Sequence, residues 1–287
     1  MKLTIGIDIS KRYFQIFGRD ESGKTIVSKR LTRGRMLPYF SNLPKSLITM
    51  EACGGAHYWA RTLRSQGHEL RLISPQHVKP YVMGNKNDRN DAEAICEAST
   101  RPGMRFVAIK SVEQQDVLSV HRIRERLIKG RTALVNEMRG LLAERGQIIP
   151  TGISKFRIWI REFMAGGIGS NSQECSDLFL ELLGSLYREF LDVDQLVKKY
   201  EKQLEGFAGR NGDCQRIMAI PGVGPIIATA LVSSIDAKSF KNTRQLSAWS
   251  HACPLLLFRV ISQGALRRPV DIGPYMSYNY GDVSTNA

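Results

Sequence analysis

No run in this 287-residue chain approaches the roughly 18–20 consecutive apolar residues that a membrane helix needs. Membrane-spanning classes are therefore set aside. A secretory leader is missing too: Met1-Lys2-Leu3 runs straight into a strand pattern, so the expectation is a cytoplasmic protein. Cysteine is sparse. The five, Cys53, Cys96, Cys175, Cys214 and Cys253, are odd in number and form no CxxC pair, which argues against a disulfide or zinc framework. His68, His77 and His121 lack ligand spacing, His57 reads as structural and Trp59 as core. Internal repeats and low-complexity tracts are absent. Negative charge is also scarce, with 27 Asp and Glu against 41 Lys and Arg, a net charge of +14. The sequence pI is near 9.7. Such a surplus concentrates polyanions, of which nucleic acid is the commonest in the cytosol. Lys24, Lys29, Arg30, Arg33 and Arg35 crowd one early stretch, although a short basic cluster is also compatible with a plain solvated face.

Against that basic background, four carboxylates stand out. Asp8 lies in the apolar run Leu3–Ser10, and Glu51 ends the run Leu47–Glu51. Asp88 and Asp91 lie three apart at the opening of a predicted helix, about 60° from each other and so on one face. The bland account of that pair is two helix-start acids favoured by the macrodipole. The sharper one is a centre of oxygen donors for a hard cation such as Mg²⁺. Two such ions, about 3.5–4 Å apart, clamp both oxygens of a phosphodiester displacement.

The order of predicted elements supports convergence. Leu3, Ile5, Ile7 and Ile9 alternate with Thr4, Gly6, Asp8 and Ser10, the period of a strand. Tyr13–Phe17 and Thr25–Leu31 read as the next strands, with Asp20–Gly23 as their turn. A strand at 47–51, a helix at 56–65 and a strand at 69–74 follow. A three-stranded meander followed by alternating helix and strand is the order of a ribonuclease H-like domain. In that sheet the carboxylates of the first and fourth strands are adjacent.

Beyond about residue 110 the pattern turns helical. Val120, Ile123, Leu127, Leu134, Met138 and Leu141 form one heptad-like seam, flanked by Arg122, Arg124, Arg126, Lys129, Arg131 and Arg139. Leu186, Phe190, Val193, Val197, Tyr200 and Leu204 form a second. The seams can pack within one chain, but pairing with a second copy is the favoured expectation. Later, Pro221-Gly222-Val223-Gly224 between apolar stretches has the form of a helix-hairpin-helix, whose backbone N–H groups can hold a DNA phosphate without reading sequence. A tight inter-helix turn is the alternative.

These stretches together resemble DEDD-type insertion-sequence transposases, the RNA-guided recombinase family. The likeness rests on Ile5–Ser10, Glu51–Ala60, Pro75–Tyr81, Asn85–Ile95, Val112–Gln115, Arg139–Leu142, Ile220–Ala230 and Phe240–Trp249. It implies a RuvC-like (ribonuclease H-like) α/β domain over 1–110, a helical coiled-coil region over 111–208 and a mostly α, helix-hairpin-helix-containing transposase domain over 209–287. It implies DNA recombination by a homodimer or homotetramer, with a structured non-coding guide RNA. It also implies that Asp8, Glu51, Asp88 and Asp91 hold Mg²⁺, two ions being expected, and that a C-terminal serine is the nucleophile.

After Trp249 the chain departs from the family pattern. Phe258 or Arg259 falls where the serine is expected, and Ser262 beside Gln263-Gly264 is the nearest substitute. The expectation is a replaced tail, by frameshift or truncation, with an intact metal site and impaired recombination. Two rivals remain. One is a non-catalytic nucleic-acid-binding scaffold on the same fold. The other is an actin-like or sugar-kinase-like ATPase, disfavoured because no second Asp-Gly-rich phosphate loop follows.

Overall fold

The computed structural model describes residues 3–83, 87–166 and 175–235. They form two units, one built on residues 1–115 and one on 116–234.

In the first unit, strands β1 (Thr4–Ile9), β2 (Tyr13–Arg19) and β3 (Thr25–Thr32) form the expected antiparallel meander. The chain then passes through helix α1 (Met36–Ser41) to β4 (Leu47–Glu51), which lies parallel to β1. Helix α2 (Ala56–Ser65) leads to β5 (Glu69–Ile73), again parallel. Short α3 (Pro75–Val78), helix α4 (Asp88–Ser99) and two-residue β6 (Phe106–Val107) complete it. The sheet order is β3-β2-β1-β4-β5-β6. This mixed sheet is consistent with a ribonuclease H-like domain.

Strand alternation assigns the two faces. Ile5, Ile7, Phe14, Ile16, Ile48 and Met50 pack under Met36 and Phe40 of α1 and Ala56, Trp59, Ala60 and Leu63 of α2. Burying each large side chain here contributes about 1.5–3 kcal/mol. The opposite face carries Thr4, Gly6 and Asp8 and receives α4. A methyl group on Gly6 would sit 2.2 Å from the Ala92 carbonyl oxygen and 2.5 Å from the Cys96 nitrogen, so only glycine admits the helix this close. Phe17 packs on Ala92 and Cys96. Arg19, ending β2, bonds Glu93 at 2.5 Å and Glu97 at 2.8 Å, which fastens the far part of α4.

The second unit is helical: the part of α5 (Val112–Ala143) from residue 116 onward, α6 (Ile153–Met164), α7 (Asp177–Arg210), α8 (Gly212–Met218) and α9 (Pro225–Ser234). Ion pairs at 2.6 Å from Arg124 to Glu201 and at 2.7 Å from Arg131 to Asp194 show that α5 and α7 run antiparallel. Leu134, Met138 and Leu142 share a core with Phe156, Ile160 and Phe163 of α6 and with Leu183 and Phe190 of α7. The two seams therefore meet inside the chain, where pairing with a second copy was the favoured expectation. The first seam is also shifted: Ile123 is 38% exposed while Val117 and His121 are buried. Helix α6 was not anticipated. No described helix is long and apolar enough to cross a membrane. Among the described residues Cys53, Cys96 and Cys214 are free thiols.

Candidate active site

The acidic residues are positioned by register. Ile7 of β1 lies beside Met50 of β4, so the next residues, Asp8 and Glu51, are neighbours on strands about 4.8 Å apart. Gly6 pairs with Thr49, and Asp8 and Glu51 lie two residues further on, hence on the same face, the one α4 covers. Helix α4 runs against β1: Cys96 Sγ reaches the Thr4 carbonyl at 3.3 Å, and Gly6 faces both Cys96 and Ala92. Two residues along a strand advance about 6.7 Å, and one helical turn returns about 5.4 Å. Continuing that register brings the first turn of α4, with Asp88 and Asp91, towards Asp8. The turn is held by Asn87, whose side chain accepts from the Asn90 N–H at 2.8 Å.

Electrostatics report the same convergence. Burial first, then Asp91, Asp88 and Glu51, push the Asp8 carboxyl up to about 6, against a lowering hydrogen bond with the Ile9 backbone. A carboxyl raised by burial and by neighbouring like charges marks a place where a divalent cation would be stabilised. The donor set, all hard carboxylate oxygens, fits Mg²⁺ rather than a soft metal. Yet among the described residues no three His, Cys, Asp or Glu side chains form a ready-made metal cage. The backbone register brings the acids towards one end of one face.

Other polar groups near this end can be sorted by chemistry. Burial, then Glu51 and Asp8, push the Cys53 thiol up, so it stays protonated and is a poor nucleophile. His57 is pushed down to about 4 by burial and then by Lys110 and Arg61, and its Nδ1 accepts from the Lys110 N–H at 3.2 Å. That is the structural role expected of it. Trp59 is 3% exposed, in the core as expected. Unforeseen was Gln15, which pairs with Asp8 across the β1–β2 ladder, with Arg30 next in line on β3. Tyr13 and Gln15 share that side of β2, a period-two signal present in the sequence but informative only once the register is known.

A family model of DEDD-type IS110 transposases matches residues 5–145, the span holding all four carboxylates. A second, for transposases of the IS116/IS110/IS902 family, matches residues 214–255, which include Pro221–Gly224. The chain is 45% identical over 251 residues to the transposase for insertion sequence element IS1111A of Coxiella burnetii, covering 87% of this chain and 68% of that one. The chain belongs to the IS116/IS110/IS902 transposase family. A second member, the probable family 20 transposase of Pseudomonas aeruginosa, is 42% identical over 87% of this chain and 73% of its own. The transposase for insertion sequence element IS1328 of Yersinia enterocolitica is 33% identical over the same shares. Transposases cleave and transfer DNA strands, and the DEDD class is associated with divalent metal.

In this transposase, Pro221–Gly224 joins α8 to α9, with Gly222 at φ 86° and the Val223 N–H on the Ile220 carbonyl at 3.1 Å. Cys214 and Ala228 pack the two helices together with Ala208. Ser262, Phe258 and Arg259 lie outside the described residues, as does all of the expected departure after Trp249.

Proposed function

We propose that this chain is a DNA-cleaving and strand-exchanging recombinase whose catalytic centre is Asp8, Glu51, Asp88 and Asp91. The observation that carries the reading is the register of β1, β4 and α4, which sets four carboxylates at one end of one sheet face. These residues would hold Mg²⁺, two ions by preference, and the metal would polarise the scissile phosphate and lower the pKa of a bound hydroxyl or water. Asp8, whose carboxyl is pushed up by burial and by the neighbouring acids, must shed its proton to serve as a ligand, so cation binding and deprotonation are coupled. Cys53 and His57, a protonated thiol and a neutral imidazole, leave the charge balance to the carboxylates.

The remaining assignments follow the family resemblance. Residues 1–110 form the catalytic domain, 111–208 the helical region and 209–287 the transposase domain, with Pro221, Gly222, Val223 and Gly224 gripping DNA backbone. Ser262 is the candidate nucleophile. A structured guide RNA directs the protein, which works in the cytoplasm as a homodimer or homotetramer. The decisive experiment compares parent and Asp8→Asn on branched DNA with Mg²⁺. Parental cleavage, lost in Asp8→Asn while binding persists, supports the catalytic centre. Binding by the parent with every strand left intact favours a non-catalytic scaffold. A covalent protein–DNA adduct that disappears in Ser262→Ala would assign the nucleophile.

A further inference from the structure

Helix α4 covers only part of the sheet face it packs on. Along β2 the residues on that face are Phe17, buried against Ala92 and Cys96, then half-buried Gln15, then Tyr13, which is 40% exposed. The strip that α4 leaves open begins directly beside Asp8, since Gln15 is its ladder partner and Arg30 is the partner of Gln15. The Arg30 guanidinium lies over the Tyr13 ring, 4.1 Å from its centroid, and Arg30 is itself exposed. The turn from β1 to β2 adds exposed Lys11 and Arg12, and is closed by the Ser10 hydroxyl donating to the Tyr13 carbonyl at 2.5 Å. One flank of an acidic centre is thus lined with an amide, two arginines, a lysine and a flat aromatic ring. Four carboxylates alone repel a phosphodiester strand, and a cationic, stackable flank offsets that repulsion. Arginine over tyrosine presents a planar surface for a base and a charged edge for a phosphate.

We propose that Tyr13, Gln15 and Arg30 form a strand-holding subsite that stacks a base of the DNA strand being cut and, with the Lys11–Arg12 turn, holds the adjoining phosphate beside Asp8. The inference rests on the reading that the acidic centre acts on DNA, and it adds positioning residues to that centre. A base next to the scissile phosphate stacks on the Tyr13–Arg30 layer. The Gln15 side-chain amide donates to a phosphate oxygen one strand away from Asp8.

The test uses the full chain and a single-stranded DNA oligonucleotide carrying 2-aminopurine, whose fluorescence is quenched on stacking, with binding followed in Ca²⁺ and cleavage in Mg²⁺. Quenching by the parent, its loss in Tyr13→Ala and its retention in Tyr13→Phe support the subsite. Tyr13→Ala and Arg30→Ala should each weaken binding about ten-fold or more, and raise KM with kcat largely kept. Both alanine variants binding and quenching like the parent, while Asp8→Asn still abolishes cleavage, would overturn the subsite and leave the proposed function standing. A parent that neither binds nor cleaves DNA overturns both. Quenching by an RNA oligonucleotide but not by DNA would overturn the assigned partner.

Discussion

Asp8 bears its charge under repulsion, and the sign of that effect is testable. Its carboxyl titrates near 6 in the folded chain against 3.8 ordinarily. The folded state therefore binds the extra proton in that window, and the stability it contributes is lost as pH rises through about 6. Asp8→Asn should melt several degrees above the parent at pH 7.5 and level with it at pH 4, in thermal scans across that range. Mg²⁺ should raise the parent's Tm at pH 7.5 and leave that of Asp8→Asn nearly unchanged. His121 works in the other direction. It is buried, its Nε2 lies 3.0 Å from the Thr229 hydroxyl, and burial followed by Arg124 pushes it down from 6.5 to about 4. The unfolded chain takes up the proton first, so stability is lost as pH falls from about 6.5 towards 4. His121→Gln should flatten that part of the Tm–pH curve, and an unchanged slope would count against the assignment. Asp8 was legible in the sequence because a lone acid in an alternating apolar strand is conspicuous. Gln15 was not, because its importance comes from a ladder partner that no local pattern names.

Elements hold the acids at the proper depth, and Gly6 is where that depth is set. Gly6→Ala would drive a methyl group into the α4 backbone. The strain should cost about 1–3 kcal/mol and shift the helix that carries Asp88 and Asp91. The expected outcome is a lower denaturant midpoint and a fall in cleavage larger than the fall in DNA binding. In the helical unit Asp194 has a comparable place. Its side chain is 7% exposed and takes Arg131 from α5, Arg157 from α6 and Lys198 from its own helix. Burial alone would raise its pKa, but those partners outweigh it and bring the carboxyl to about 2. Asp194→Ala strands the partly buried cations and should destabilise the unit by about 3 kcal/mol, measured by urea unfolding. The strands and α2 were readable from period-two runs and turn residues. Helix α6 was missed although Ile153, Phe156, Ile160 and Phe163 step by 3, 4 and 3, because it is only 12 residues long, no side chain caps its start at Gly152, and its burial depends on α5 and α7 arriving beside it.

At the scale of the whole chain, the +14 charge is a statement about partners, and the structure divides its carriers into two groups. Arg124 and Arg131 are committed to Glu201 and Asp194. Arg139 donates to the Pro150 carbonyl at 2.8 Å. Arg122 and Arg126, by contrast, are exposed on α5. The sequence named all five as one basic flank, since which arginines are spent on the fold depends on the antiparallel pairing of α5 with α7. Nucleic-acid affinity should fall steeply with salt, log K changing by about −0.9 per phosphate contact for each unit of log salt on duplex DNA. If Arg122 and Arg126 each meet a phosphate, replacing both with alanine should make the slope shallower by about 1.8 units while leaving urea unfolding unchanged. Arg131→Ala should do the opposite, lowering stability with little effect on the slope once the protein is folded. Binding titrations from low to moderate salt separate the two groups. Equal slopes for the parent and the Arg122/Arg126 double variant would remove α5 from the nucleic-acid surface and move the electrostatic footprint to the basic flank beside Asp8.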